Sequence, residues 1–392
     1  MKQFFGAFFG SLLGVLLTGF IAILIVMGMV MSAFSDAMSG VIDFDKKHMY
    51  VAKNNSVLKL NLNDEIDERG SENPLGSLNL GPLAPKTSIG LNDIIASLKK
   101  AKTDSHIKGI YLEISNPVAG FATLEEIRNA LLDFKTSGKF IYAYSEGYSQ
   151  KGYYLASTAG KVYLNPEGGM ELKGLSSQMM FYKNMLEKLN VEVQIYRHGK
   201  FKSAIEPFML DKMSAANRAQ IETYLGSLWG HMIEEISKSR SVSVTEINAI
   251  ADGLLIRSTD DALKYKLVDE LKYEDEVHEL MKKNLGLKGK DKIHFVSLSD
   301  YRDAAGELSV SSSKNKIAII YAVGEIESGE GKEGNIGSAS LVRAIREARV
   351  DSSIKAIVLR VNSPGGSALA SDVIWRETIL AKVMISCGCD QI

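Results

Sequence analysis

Cysteine is nearly absent from this 392-residue chain: Cys387 and Cys389 are the only two, one residue apart within the last six positions. That spacing supports neither a disulfide framework nor a standard zinc site. The cysteine-free body is compatible with an oxidising compartment without requiring one. An excess of either charge is also missing, with 46 basic against 47 acidic residues, and no basic aromatic cluster stands out. The composition therefore proposes no nucleic-acid partner. His48, His106, His198, His231, His278 and His294 are scattered, and none has metal-ligand spacing. No metal and no cofactor is expected.

What is present begins with Phe4–Phe34, a run without a single charge. It exceeds the roughly 20 residues needed to cross a bilayer and the signal-peptide core of about 7–15. A membrane anchor over 1–36 is the expectation. A cleavable signal is the alternative, disfavoured by the length and by the lack of a clean small-x-small site. Gly6, Gly10 and Gly14 have the spacing of a helix-contact face. Lys2 in front and Lys46 and Lys47 behind orient the segment only weakly.

The rest of the chain is organised around Asp351–Ser367, D-S-S-I-K-A-I-V-L-R-V-N-S-P-G-G-S. A β-branched run stopped by turn residues predicts a strand of a parallel sheet. The Gly365-Gly366 pair beyond it can present backbone N–H groups to a reacting atom, although a plain tight turn explains it equally well. Asp104–Pro117 repeats this stretch at an offset of 247, with seven of fourteen positions identical. Glu65-Ile66-Asp67 parallels Glu325-Ile326-Glu327 at an offset of 260, which implies a 13-residue insertion in the first copy near Asn73–Lys86. The chain thus reads as one unit and the beginning of a second.

Alternating patterns predict strands at Val51–Glu68, Ile107–Ile114, Phe140–Tyr144, Lys161–Leu164, Val191–Arg197, Ile317–Val323 and Ile354–Val361. Helices are expected at Leu91–Lys102, Leu124–Lys135, Phe181–Leu189, Ser214–Ser237, Ser243–Asp252, Glu274–Lys283, Ser340–Arg349 and Ala368–Lys382. The order is that of an α/β fold with a parallel sheet. The polar stretches around 285–316 suggest the connection between units. The expected division is 37–290 for the first unit, 291–316 for a linker and 317–392 for the second.

Gly199–Phe208 reads G-K-F-K-S-A-I-E-P-F. Two lysines flanked by Tyr196, Phe201 and Phe208 suggest that one turns into apolar surroundings, where a neutral amine could serve as a general base. A pair of solvated surface lysines is the plainer explanation.

Taken together, F-K-S-A-I-E-P-F at 201–208, M-S-A-A-N-R at 213–218 and V-N-S-P-G-G-S-A-L-A-S-D at 361–372 resemble the membrane-bound signal peptide peptidase, or protease IV, family in its long form with tandem repeats. The resemblance implies Clp-protease/crotonase-like repeats and a serine nucleophile with a lysine base. It places Lys202, not Lys200, in the base position, and Gly365 and Gly366 on the oxyanion turn. It further implies hydrophobic signal-peptide remnants as substrate, a bilayer and further copies of the chain as partners, and an inner-membrane location with the soluble part on the extracytoplasmic side. The family's serine lies in an S-M-G-x-x-A-A-S-G-G-Y-Y stretch. Its counterpart here, Glu146–Tyr154, has Gln150 at the nucleophile position, and the same offset puts the second copy's serine near position 397, past Ile392. The expectation is a shortened second repeat, a chain inactive by itself, and no nucleophilic role for Ser386. A non-catalytic membrane-tethered scaffold is the alternative. A crotonase-type acyl-thioester enzyme is disfavoured by the anchor and Lys202.

Overall fold

The strand I-K-G-I-Y-L-E at Ile107–Glu113 lies at the centre of a parallel sheet, and its side chains are buried on both faces except near the ends. A computed structural model describes residues 13–14, 17–21, 23–28, 53–70, 89–303, 313–332 and 334–384. Along the chain the first strands are β1 (Ser56–Asn61), β2 (Ile66–Asp67), β3 (Ile89–Gly90), β4 (Ile107–Glu113), β5 (Phe140–Tyr148) and β6 (Lys161–Met170). They are followed by β7 (Glu270–Leu271) and β8 (His294–Ser297). Six of them form one sheet in the order β7-β6-β5-β4-β1-β8, with every pairing parallel.

Side-chain alternation sends the two halves of each strand to different cores. Leu58, Leu60, Ile110, Leu112, Val162 and Leu164 face the helices Leu91–Thr103, Phe121–Lys135 and Gln150–Ala156. Val57, Tyr111, Tyr144 and Tyr163 point the other way and are covered by Val277 and Met281 of helix Glu274–Asn284. Both faces are therefore dry, which is why these strands carry apolar runs rather than simple alternation.

The second unit repeats the start of this plan. β9 (Lys316–Val323) pairs in parallel with β12 (Ile354–Asn362), as β1 does with β4. β10 (Ile326–Glu327) pairs with β11 (Ile336–Gly337), as β2 does with β3. Helices Ser338–Val350 and Ala368–Met384 cover one face through Leu341, Ile345, Ile374 and Ala381. The 13 extra residues of the first unit fall between β2 and β3. Residues 71–88, which include Asn73–Lys86, lie outside the described part. On the other face Ile317, Ile319 and Val358 are exposed, at positions where the first unit is covered by helix Glu274–Asn284.

Two expectations from sequence need revision. Val191–Arg197 has the alternation of a strand but pairs with no strand among the described residues. Val191 and Val193 are exposed, so the pattern has nothing to bury against. Residues 291–316 are not simply a linker, because β8 adds to the edge of the first sheet and helix Leu298–Asp303 buries Tyr301 against it. As for the anchor, most of Phe4–Phe34 lies outside the described residues. The described parts of 13–28 are helical and exposed, and among the described residues no helix is long and apolar enough to cross a membrane.

Arg360 of β12 joins the two units. Its guanidinium binds both carboxylate oxygens of Glu68 and reaches Glu126 Oε1 at 2.6 Å. Nearby, Asn92 donates to Tyr321 Oη at 2.7 Å, and the Arg69 guanidinium lies 5.7 Å from the same ring. Glu68 is nearly buried, whereas Arg360 remains partly exposed, so solvent screens part of the attraction. Arg360→Ala should therefore destabilise the docking of the units by about 1–3 kcal/mol. The check is a urea titration in which the second unit's transition moves to lower urea and the first unit's stays in place.

Candidate active site

The lysine motif occupies a loop that follows the extended residues 191–197 and ends in the short helix Glu206–Met209. Tyr196, Arg197, His198, Phe201, Lys202 and Ser203 line a hollow of about 450 Å³ there. The aromatic flanks do not enclose a lysine as expected. Tyr196 is 91% and Phe201 56% exposed, and Lys202 itself is exposed. Lys200 lies over the Phe201 ring at 5.7 Å. Lys202 makes no hydrogen bond or ion pair with any described residue, so no carboxylate among the described residues ties up its amine.

What holds the loop is Glu206, 1% exposed. Its Oε1 accepts from Ser214 Oγ at 2.6 Å, and its Oε2 accepts from Ser214 N at 3.2 Å and Asn217 Nδ2 at 3.0 Å. Arg197 stands 3.9 Å away. Burial pushes the carboxyl pKa up, but the bonds from Ser214 and Asn217 and the Arg197 charge outweigh it and hold the group below the usual carboxylate range. Ser214 also caps the helix Ala215–Arg240 by accepting from Asn217 N at 3.1 Å. The far end of that helix is fixed in the core by Arg128, which donates to Glu235 O at 2.7 Å and Ser239 Oγ at 2.5 Å. The motifs at 201–208 and 213–218 contain Glu206, Ser214 and Asn217, whose roles only the fold reveals, whereas Arg128 lies in neither. The adjacent E-P and M-S-A-A-N-R pieces were the available signal.

Gly365 and Gly366 lie in the second unit, on the turn after β12, and the hollow around Lys202 includes neither. Gly365 has φ +105°, which a side chain would strain. Its carbonyl accepts from Ile326 N at 2.9 Å, while Ser367 N donates to Ile326 O at 2.9 Å. Gly365 N donates to Ser363 Oγ at 3.1 Å, so its N–H is occupied. Gly366 N–H, between these bonds, has no acceptor among the described residues and is the donor left for an oxyanion. A Cβ on Gly366 would lie 2.2 Å from Ile326 O. Gly366→Ala should therefore open the bridge to β10. Hydrogen exchange of the Ile326 and Ser367 amides is the measurement, and each should quicken at least about tenfold.

At the first unit's counterpart of the nucleophile position, Gln150 makes three hydrogen bonds. Its Oε1 accepts from Lys173 N at 2.7 Å and Gly174 N at 2.9 Å, and its Nε2 donates to Gly174 O at 2.9 Å. Ser149, beside it, caps helix Gln150–Ala156 and donates to Ser115 O at 2.9 Å. A larger hollow of about 560 Å³ adjoins Gly147, Tyr148 and Ser149 of the stretch Glu146–Tyr154, together with Gly168–Met170, but includes none of Lys202, Gly365 and Gly366.

Comparison with known proteins places this arrangement. Residues 133–288, which include Lys202, Glu206 and Ser214, match the model of peptidase family S49. The chain is 38% identical to Protease 4 of Salmonella typhi over 312 residues, which is 76% of this chain and 50% of that protein. It is 33% identical to Protease 4 of Haemophilus influenzae over 370 residues, covering 90% of this chain and 60% of that one. The chloroplastic serine protease SPPA of Arabidopsis thaliana is 31% identical over 300 residues, 74% of this chain and 44% of that protein. The chain thus spans about half the length of the curated relatives it matches. Residues 133–288 therefore carry a peptidase family S49 domain, and over most of its length the chain is similar to proteins named Protease 4.

Proposed function

We propose that this chain supplies the general base and the oxyanion turn of a membrane-anchored serine peptidase that degrades cleaved signal peptides. The observation that carries the reading is the Lys202 loop, whose amine is unpaired while Glu206 fixes the loop to the helix behind it.

In the proposed reaction a serine Oγ attacks the scissile carbonyl carbon and passes its proton to Lys202 Nζ. The carbonyl π electrons move onto oxygen, and Gly366 N–H stabilises that negative charge. Collapse of the intermediate breaks the C–N bond as Lys202 returns the proton to the departing amine. Water then enters by the same route and releases the acyl group. With Gln150 at the first unit's nucleophile position, we expect the serine to come from the second repeat, in the stretch that corresponds to Glu146–Tyr154. The uncharged run Phe4–Phe34 and the exposed apolar residues described within 13–28 support a membrane anchor, while the inner-membrane location and the extracytoplasmic side rest on the resemblance alone. Exposed Tyr196 and Phe201 support an assembly of several copies, in which a neighbouring surface would shelter Lys202.

The test is a fusion in which the sequence after Lys382 is taken from the Haemophilus influenzae relative. Cleavage of a hydrophobic signal-like peptide by the fusion, and not by residues 1–392, is the expected result. Inactivity of both would favour the non-catalytic scaffold, the reading to which the fully bonded Gln150 also points.

A further inference from the structure

From Lys173 to Ala216 the chain is exposed or half-buried at every position except one, and the exception is a carboxylate, Glu206. Buried apolar side chains do not anchor this 44-residue excursion. A buried charge in that setting is costly unless its partners satisfy it, and Glu206 has three hydrogen bonds to do so. Two features make the arrangement directional. The acceptor sits four residues after Lys202 on the same loop, and all three donors belong to the first turn of helix Ala215–Arg240. That helix is in turn held at its other end by Arg128 and in its middle by Trp229 Nε1 donating to Asn248 Oδ1 at 2.8 Å. The backbone bonds Glu206 N to Ser203 O and Leu210 N to Glu206 O, at 3.0 and 2.9 Å, tie the turn carrying Glu206 to the lysine side of the loop.

We propose that Glu206 is the positioning residue of the lysine loop: it fixes Lys202 relative to the core by locking the loop onto the N-terminus of helix Ala215–Arg240. The proposal rests on the reading of Lys202 as the base only for its catalytic consequence, since the mechanical role can be measured without activity. It gives the glutamate of K-S-A-I-E-P a task distinct from proton transfer. Its carboxylate faces Ser214 and Asn217 and makes no contact with the Lys202 amine among the described residues.

The experiment compares hydrogen exchange of the full chain with that of Glu206→Ala, Glu206→Gln and Lys202→Ala, read at the amides of Glu206, Phe208 and Leu210. Glu206→Ala is expected to speed exchange there at least about tenfold while leaving β4 and β5 unchanged. Glu206→Gln, which keeps a carbonyl oxygen for Ser214, should recover at least half of that loss on a logarithmic scale. Lys202→Ala should change nothing. In the fusion with the Haemophilus influenzae sequence, Glu206→Ala should lower kcat at least about tenfold with KM unchanged, because the loop orients the base rather than the peptide. Unchanged exchange in Glu206→Ala, or no recovery in Glu206→Gln, overturns the positioning role. If the loop loosens but the fusion stays active with Lys202→Ala, the positioning role stands and the base assignment fails instead.

Discussion

Lys202→Ala in the fusion described above is expected to reduce kcat/KM by about 10²–10⁴-fold, the range associated with losing a general acid–base group. The loss should appear in kcat, because in the proposed reaction Lys202 exchanges a proton with the serine and the leaving amine and makes no uniform contact with the substrate. Lys202→Arg should be nearly as damaging. A guanidinium stays protonated at any working pH and cannot accept the serine proton. Lys200→Ala serves as the contrast. Lys200 already rests on the Phe201 ring and is six positions from Glu206, so its removal should cost at most a few-fold. A large effect at Lys200 with a small one at Lys202 would invert the assignment.

The second large effect is on stability. Arg128 is fully buried and holds three helices together. Besides its bonds to Glu235 O and Ser239 Oγ, it donates to Tyr154 O and to Ser157 Oγ at 2.9 Å, and its guanidinium lies 4.7 Å from the Tyr154 ring. Glu235 lies 3.7 Å from Nε and compensates the charge. Arg128→Ala would leave a cavity, several unpaired acceptors and an unbalanced carboxylate, and should cost about 3–5 kcal/mol. Arg128→Lys should recover little, because one ammonium cannot reach acceptors on both sides of a planar fork. The check is a urea titration of the first unit, where the midpoint should fall sharply. A shift below about 1 kcal/mol would mean that solvent or a neighbouring group replaces the guanidinium at low cost. Because Arg128 fixes the far end of helix Ala215–Arg240, the variant should also loosen the lysine loop at its near end.

Much of the fold was legible because periodicity and burial agree in it. Leu91, Ile94 and Leu98 have helical spacing and lie on the buried face of helix Leu91–Thr103. The run Ile107–Ile114 is apolar because helices cover both faces of β4. The duplication was legible for a related reason, since two strands in equivalent positions of a sheet face the same packing constraints. Where the reading failed, the local pattern was present and its partner was not. Val191, Val193 and Ile195 alternate like a strand, yet no neighbouring strand pairs with them. The stretch around His294–Ser297 looked like part of a linker because β8 is short and sits beside lysine-rich residues, although parallel pairing with β1 draws it into the sheet. At the site, motif resemblance pointed to Lys202 and the glycine turn. It could not show that Gly365 N–H is already spent on Ser363, nor that Glu206 is buried, because both depend on hydrogen bonds invisible to pattern. The apolar flanks of Lys202 suggest shelter, but aromatic side chains beside a lysine in sequence need not fold over it: here Tyr196 and Phe201 are exposed and Phe208 stacks on Tyr182, as the plainer reading of solvated lysines has it.

The most direct test of the central claim is a structure of the fusion bound to a serine-reactive peptide inhibitor. The account predicts that Lys202 Nζ lies about 3 Å from the serine Oγ, within reach of proton transfer, with Gly366 N–H on the inhibitor's oxyanion. A Lys202 amine still in open solvent, more than about 6 Å from that serine while another base contacts it, would contradict the assignment.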